Sequence, residues 1–360
     1  MAGALWFLLG LGALIAGAEL MVRGASRLAL LFGISPLVVG LTVVSFGTSA
    51  PELAVSVQSA WAGQVDIAIG NVVGSNIFNV LVILGLSALV VPLVVHQQLI
   101  RQEVPIMIGV SLLLWGLAAD GGIGRGEGLL FVGLLIGYTV LLIWQSRRAA
   151  AEEKSEYDEA FGDGQPGWRN HWALQLLLIV VGLVLLVLGA RWLVEAAVGF
   201  ARYLGVSELV IGLTIVAAGT SLPEVATSVM AALRGERDIA VGNAVGSNIF
   251  NILCVLGISA IVAPAELTVA PQILGSDLPI MVGVALICLP VFFIGGVISR
   301  GEGALLLGLY IAYTAYLILQ AVGHPALVAY AEIMGVVVLP VVAVVLVVLA
   351  WRYWRVSAAR

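Results

Sequence analysis

Residues 33 to 92 are written a second time at residues 205 to 264, 172 positions later, and 37 of the 60 positions are identical without a gap. A chain built this way has to fold as two copies of one unit. The identical polar residues include Thr48, Ser49, Glu52, Asn71, Ser75, Asn76 and Asn79, with twins Thr220, Ser221, Glu224, Asn243, Ser247, Asn248 and Asn251. All of them sit in apolar stretches, where polar and acidic side chains are costly, so their duplication calls for a reason beyond packing. A bound cation supplies one.

With 61% hydrophobic and 10% charged residues, against about 25% charged in ordinary globular domains, the chain reads as an all-α polytopic membrane protein. Runs of about 20 apolar residues span the hydrocarbon core. Eleven are countable: 4–30, 37–61, 66–90, 104–119, 128–145, 173–200, 208–233, 239–262, 278–297, 303–321 and 326–351. No basic residue precedes the first, so it reads as a retained helix, despite the A-x-A match at Ala16 and Ala18. With the N-terminus outside and the C-terminus cytoplasmic, 13 of the 16 basic residues fall in or beside cytoplasmic segments, as the positive-inside rule requires. Only Arg125, Arg191 and Arg202 face the other way.

The duplication reaches beyond the 60-residue core. Arg125-Gly-Glu-Gly-Leu-Leu recurs as Arg300-Gly-Glu-Gly-Ala-Leu, and Tyr138-Thr139 as Tyr313-Thr314. The unit is therefore five helices, and an odd number makes the copies enter the membrane from opposite sides. Inverted repeats of this kind place a transport site near the midplane, at their interface. The expected organisation is an N-terminal repeat at 1–145, a polar acidic cytoplasmic linker at 146–171, an inverted C-terminal repeat at 172–322, and an added transmembrane helix with cytoplasmic tail at 323–360. The linker lacks the spaced ligands and turn glycine of a calcium loop. The added helix ends in an aromatic and basic collar, Trp351 to Arg355, and its Glu332 reads as interfacial.

Gly47-Thr48-Ser49-Ala50-Pro51-Glu52 interrupts the second span, and Gly219-Thr220-Ser221-Leu222-Pro223-Glu224 the seventh. Proline gives no backbone hydrogen bond and its ring pushes on the carbonyl four residues back, so carbonyl oxygens are freed in that turn. Freed carbonyls of broken helices can coordinate ions. Thr48 and Glu52 stand four apart, as do Thr220 and Glu224, a spacing that shares a helix face. A carboxylate near the bilayer centre costs at least about 2.5 kcal/mol, and no Lys or Arg lies in either segment to neutralise it. Calcium accepts carboxylate and carbonyl oxygens. A hard cation is favoured because no thiolate, thioether or imidazole is near.

Asn71, Ser75 and Asn79 recur every fourth residue as a polar stripe, repeated by Asn243, Ser247 and Asn251. Asn71 and Asn243, within G-x-x-x-G segments, read as packing residues, and the other four as neutral oxygen ligands. Asp66 and Asp238 suit an N-cap or helix-dipole role. Glu19 with Arg23, and Arg191 with Glu195, suit local ion pairs. Cys254, Cys288 and the three histidines show no metal or disulfide spacing. No nucleophile arrangement for an enzyme stands near the repeat.

These residues resemble the sodium/calcium exchanger family of the cation/calcium exchanger superfamily, in its prokaryotic type, through G-T-S-x-P-E followed by G-N-x-x-G-S-N-I-F-N, present twice. The resemblance covers residues 1 to about 322. It implies a ten-helix core of two inverted repeats, with the first and sixth helices sliding across the rest for alternating access. It also implies transport ligands at Thr48, Ser49, Glu52, Ser75, Asn79, Thr220, Ser221, Glu224, Ser247 and Asn251. The expected activity is electrogenic Na⁺/Ca²⁺ antiport in a prokaryotic cytoplasmic membrane, with a Ca²⁺/H⁺ or other divalent cation/H⁺ antiporter as the alternative. No cofactor, nucleic acid or obligatory protein partner is expected beside Ca²⁺, Na⁺ and the bilayer. Two departures stand out: Asn251, where potassium-dependent relatives carry Asp, and the eleventh helix.

Overall fold

The computed structural model describes residues 2–160, 171–205, 211, 214–215, 217–293 and 295–358. Among these, nine helices are long and apolar enough to cross a membrane. One further span is bent, Pro36–Thr48 meeting Ala50–Trp61 at 46°. Leu222–Leu233 is the second half of the seventh span, whose first half falls largely outside the described residues. The fold is that of an all-helical, multi-pass membrane protein. The fifth helix, Arg125–Ala160, runs past residue 145 into the segment read as linker, and 161–170 lie outside the described residues.

Two short antiparallel strand pairs mark the inversion. Leu93–Val94, between the third and fourth spans, pairs with Val297–Ile298, between the ninth and tenth. Gly122–Ile123, between the fourth and fifth, pairs with Leu267–Thr268, between the eighth and ninth. Each pair joins one repeat to the other. Counting spans between them puts the two pairs on opposite membrane faces, related by a pseudo-two-fold axis in the membrane plane.

The repeated R-G-E-G motif follows the same symmetry. Arg125 Nη2 donates to Ala263 O at 3.2 Å and Arg300 Nη2 to Val90 O at 3.5 Å, so each arginine holds the end of the other repeat's third helix. Glu127 Oε2 accepts from Gly124 N–H at 3.0 Å, and Glu302 Oε2 from Ser299 N–H at 2.8 Å, capping their helices. Gly128 and Gly303 have no side chain because a Cβ would lie 2.8 Å from Gly257 O and 2.7 Å from Gly85 O. The repeated tyrosines are also placed. Tyr138 Oη donates to buried Glu103 at 2.8 Å and Tyr313 Oη to Asp277 at 3.4 Å, fastening the fifth and tenth spans to the fourth and ninth.

The first helix, Ala2–Phe32, and the sixth, Trp172–Tyr203, pack antiparallel along a seven-residue repeat of small contacts. Gly10 meets Gly189, Gly17 meets Gly182, and Gly24 meets Gln175, with main-chain atoms 2.7 to 2.9 Å from where a Cβ would stand. This pair lies across both helix breaks, Met21 Cε against Gly47 and Val194 Cγ2 against Gly219. The last span, Leu327–Val348, is held by Tyr330 Oη donating to Ala312 O at 2.8 Å, and most of its apolar surface is exposed, as lipid contact requires.

Candidate cation site

The proline breaks bring the two carboxylates into the protein interior. At each break the residue before the second half-helix leaves helical geometry, Ser49 with φ −80° and ψ 6° and Ser221 with φ −90° and ψ 6°. Pro51 and Pro223 cannot bond the carbonyls of Gly47 and Gly219. Glu52 and Glu224 lie in the first turn after the break, each 1% exposed. They are shared across the repeats. Ser221 Oγ donates to Glu52 Oε1 at 3.0 Å, and Ser49 Oγ donates to Glu224 Oε1 at 3.3 Å. Ser75 Oγ is 3.3 Å from Ser221 Oγ.

Glu52 Oε2, Glu224 Oε2, Asn79 Oδ1, Asn251 Oδ1 and Ser247 Oγ are buried without a hydrogen-bond partner. An unpaired buried acceptor costs about 1–3 kcal/mol, and more if charged, so five of them in duplicated positions form an arrangement that a cation stabilises. The unpartnered atoms are all hard oxygens, which fits an alkali or alkaline-earth ion, although two thioethers, of Met107 and Met281, lie nearer than the sequence suggests, against Asn248 and Asn76. Among the described residues no group of three or more His, Cys, Asp and Glu gathers anywhere, so the fixed charge here is that of two carboxylates, which one divalent cation cancels.

The third and eighth spans change pitch at two of these unpartnered oxygens. Asn79–Leu84 and Asn251–Leu256 are π-helical, each beginning at the asparagine whose oxygen is free. Single π-turns within helices often mark functional sites.

The family described as sodium/calcium exchanger protein matches residues 2–144 and 174–319, which takes in both repeats. The chain belongs to the sodium/calcium exchanger family. The exchanger is 41% identical over 314 residues to the putative antiporter CaxA of Alkalimonas amylolytica, covering 86% of this chain and 96% of that one. It is 35% identical over 340 residues to the sodium/calcium exchanger MaX1 of Methanosarcina acetivorans, covering 86% and 97%. Its fold matches a solved structure of the sodium-calcium exchanger NCX_Mj, soaked with zero Na⁺ and Ca²⁺, with a TM-score of 0.73 at 31% identity, covering 88% of this chain and 98% of that one.

In this exchanger Ser49, Glu52, Ser75, Ser221 and Glu224 meet across the repeats, and Asn79 and Asn251 bond across them to Asn248 and Asn76, with some changes of role. Thr48 and Glu52 do not act as neighbours on one helix face, because the break at Ser49 falls between them. Thr48 Oγ1 lies 3.1 Å from Val44 O of its own helix and 3.1 Å from Asn243 Oδ1 of the other repeat, and stands beside the Glu224 carboxylate, as Thr220 does beside Glu52. Asn71 and Asn243 are buttresses. Each amide donates to a glutamate carbonyl, Glu52 O at 3.2 Å and Glu224 O at 3.4 Å, and to a serine hydroxyl at 2.9 Å. Gly242 and Gly246 are the packing surface expected, Gly246 lying against Leu41 O. The segment that the repeat relation sets against Gly70 and Gly74 falls largely outside the described residues.

Asp66 and Asp238 are not caps. Gln64 and Glu236 occupy the cap positions, so the aspartates act in the first turn on the helix dipole. Glu19 pairs with Arg23, and Arg191 with Glu195 at 2.9 Å, as the spacing predicts. Glu19 also takes a second partner, Arg234 at the end of the seventh span, while Ser26 Oγ donates to Glu236 at 2.7 Å. Sequence reading gave no role to Asn76 and Asn248, whose identity in both repeats was the available signal.

Proposed function

We propose that this chain extrudes Ca²⁺ in exchange for Na⁺ entry by alternating access, with the ions held between the two broken spans. The unpartnered buried oxygens of Glu52, Glu224, Asn79, Asn251, Ser247 and Thr220 carry this reading. The ligand set is Glu52, Glu224, Ser49, Ser221, Ser75, Ser247, Asn79 and Asn251, with Thr48 and Thr220 contributing beside the carboxylates. A divalent ion neutralises the pair. When it leaves, monovalent cations must take its place, because two bare carboxylates facing each other in a low-dielectric interior repel strongly. That obligation couples the two fluxes. At three Na⁺ per Ca²⁺, the family ratio, one net charge crosses per cycle, worth about 2.3 kcal/mol per 100 mV.

The exchanger would sit in a prokaryotic cytoplasmic membrane with its N-terminus outside, as its basic residues and its bacterial and archaeal relatives support. Its organisation is read as repeats at 1–145 and 172–322, joined by a cytoplasmic linker at 146–171 and followed by the added helix at 323–360. In proteoliposomes, an outward Na⁺ gradient is expected to drive Ca²⁺ uptake that is accelerated by an inside-positive potential. Uptake driven by a pH gradient and indifferent to Na⁺ would establish the proton-coupled alternative instead.

The repeats are not equally closed. Under the repeat relation Glu19 and Arg234 correspond to Arg191 and Ala62, so the contact between the first helix and the seventh span has no counterpart on the opposite face. That face is less covered. Ala54 and Gln58 are exposed where their twins Ala226 and Met230 are half-buried, and Val55 is half-buried where Thr227 is buried. In the orientation proposed above, this asymmetry supports a state closed toward the cytoplasm and more open outside, with Arg234 as its latch. Partly exposed pairs contribute about 0.2–1 kcal/mol. Arg234→Ala is therefore expected to shift the resting population toward the inward-open form by about 1.4- to 5-fold, read by the accessibility of single cysteines to membrane-impermeant reagents. An unchanged accessibility ratio would remove the latch from the account.

A further inference from the structure

Between the third and eighth spans, four amides form a closed and reciprocal set. Asn76 Nδ2 donates to Asn248 O at 3.2 Å, and Asn248 Nδ2 donates to Asn76 O at 3.3 Å. Asn79 Nδ2 donates to Asn248 Oδ1 at 3.0 Å, and Asn251 Nδ2 donates to Asn76 Oδ1 at 3.0 Å. All four side chains are 2% exposed or less. Two methionine sulfurs complete the floor, Met281 Sδ 3.7 Å from Asn76 Nδ2 and Met107 Sδ 3.4 Å from Asn248 Nδ2.

An amide group is planar, with a donor end and an acceptor end. Fixing the nitrogen of Asn79 therefore fixes the direction of its oxygen, and that oxygen is one of the buried acceptors left without a partner. The same holds for Asn251. Reversing either amide would set its oxygen against the oxygen of Asn248 or Asn76 and present an N–H₂ group to the site, where it would repel a cation. The wiring also crosses. Asn79 of the first repeat is held by Asn248 of the second, and Asn251 of the second by Asn76 of the first.

We propose that Asn76 and Asn248 are positioning residues that lock the amides of Asn251 and Asn79 with their oxygens toward the cation, each acting on the ligand of the opposite repeat. The proposal rests on the reading of Asn79 and Asn251 as cation ligands. It explains why the serine preceding each locking asparagine and the asparagine three residues after it face the site while the locking residue does not. It also gives the repeat interface a part in binding, since separating the third and eighth spans would release both neutral ligands together.

The test is a double-mutant cycle on Ca²⁺ binding by the purified full-length protein, followed as thermal stabilisation against Ca²⁺ concentration. Loss of a group that orients a metal ligand costs about 10- to 100-fold in affinity, and that is the weakening expected for Asn248→Ala and for Asn76→Ala. In the combinations, Asn248→Ala should add little to Asn79→Ala and its full effect to Asn251→Ala, with the mirror pattern for Asn76→Ala. A merely structural clasp would weaken both ligands alike. Additivity in the crossed pairs, or unchanged affinity in the single variants, would overturn the lock while leaving the site assignment standing. A wild-type protein that binds neither Ca²⁺ nor Na⁺ would overturn the site reading and the lock together. If the alanine variants are not recovered folded, Asn248→Ser and Asn76→Ser enter the same cycle.

Discussion

Replacing either Glu52 or Glu224 by Gln is expected to weaken Ca²⁺ binding by about three orders of magnitude and to abolish Na⁺-driven Ca²⁺ uptake. Two unit charges 4 Å apart interact by about 4 kcal/mol at an effective dielectric constant of 20, and every 1.4 kcal/mol is about tenfold in affinity. Glutamine keeps the volume and one acceptor oxygen, so Ser221 can still donate at position 52 and Ser49 at position 224. What disappears is one of two charges. Folding should survive, because the neutral side chain no longer has to be compensated in the interior. The apo protein should therefore gain thermal stability while losing its stabilisation by Ca²⁺. The repeat symmetry adds a sharper expectation, that the two single variants are impaired to a similar degree. Normal Ca²⁺ stabilisation in either variant would remove that carboxylate from the site.

The duplication makes the architecture legible in the sequence, because five-helix units can repeat in one chain only as parallel or inverted copies, and the odd helix count selects the second. The broken spans were equally readable, since Pro51 and Pro223 have only one effect on a helix. What the sequence concealed was which repeat each side chain serves. A spacing of four suggested that Thr48 supports Glu52, but the break turns the two halves by 46° and leaves Thr48 Oγ1 3.1 Å from Asn243 Oδ1 of the other repeat. Periodicity assumes a continuous helix, and it fails where the chain was disrupted for function. The π-turns at Asn79 and Asn251 were hidden for a related reason. They add one residue to a turn in response to tertiary contacts, and no residue type signals them. Asn76 and Asn248 carried no readable role because their partners lie in the opposite repeat, as in the mutual amide-to-carbonyl bonds between positions 172 apart.

A valine at Gly17 or Gly182 is expected to be the most damaging substitution away from the site. A Cβ at either position would fall 2.7 Å from the main-chain oxygen of the other glycine and 2.8 Å from a main-chain nitrogen one turn along. Backbone on both sides leaves no flexible side chain to yield, so the first and sixth helices must part. Overpacking of this kind costs about 1–3 kcal/mol even in cores that can relax. In lipid, helix association depends on close packing with no hydrophobic term to replace it. Gly12 is the matched control, on the same helix with no atom within 4 Å of its Cβ position, and Gly12→Val should be close to neutral in melting temperature and in recovery of monodisperse protein. Equal behaviour of Gly12→Val and Gly17→Val would discard the antiparallel seam. The consequence for transport is larger than the stability loss alone. Met21 of the first helix lies against the break at Gly47, and Val194 of the sixth against the break at Gly219. Widening the seam moves both contacts relative to the broken turns, so a partly folded Gly17→Ala variant should lose exchange before it loses Ca²⁺ binding. That order of loss separates the proposed ligands, on the broken and π-turn helices, from the helix pair packed against the breaks.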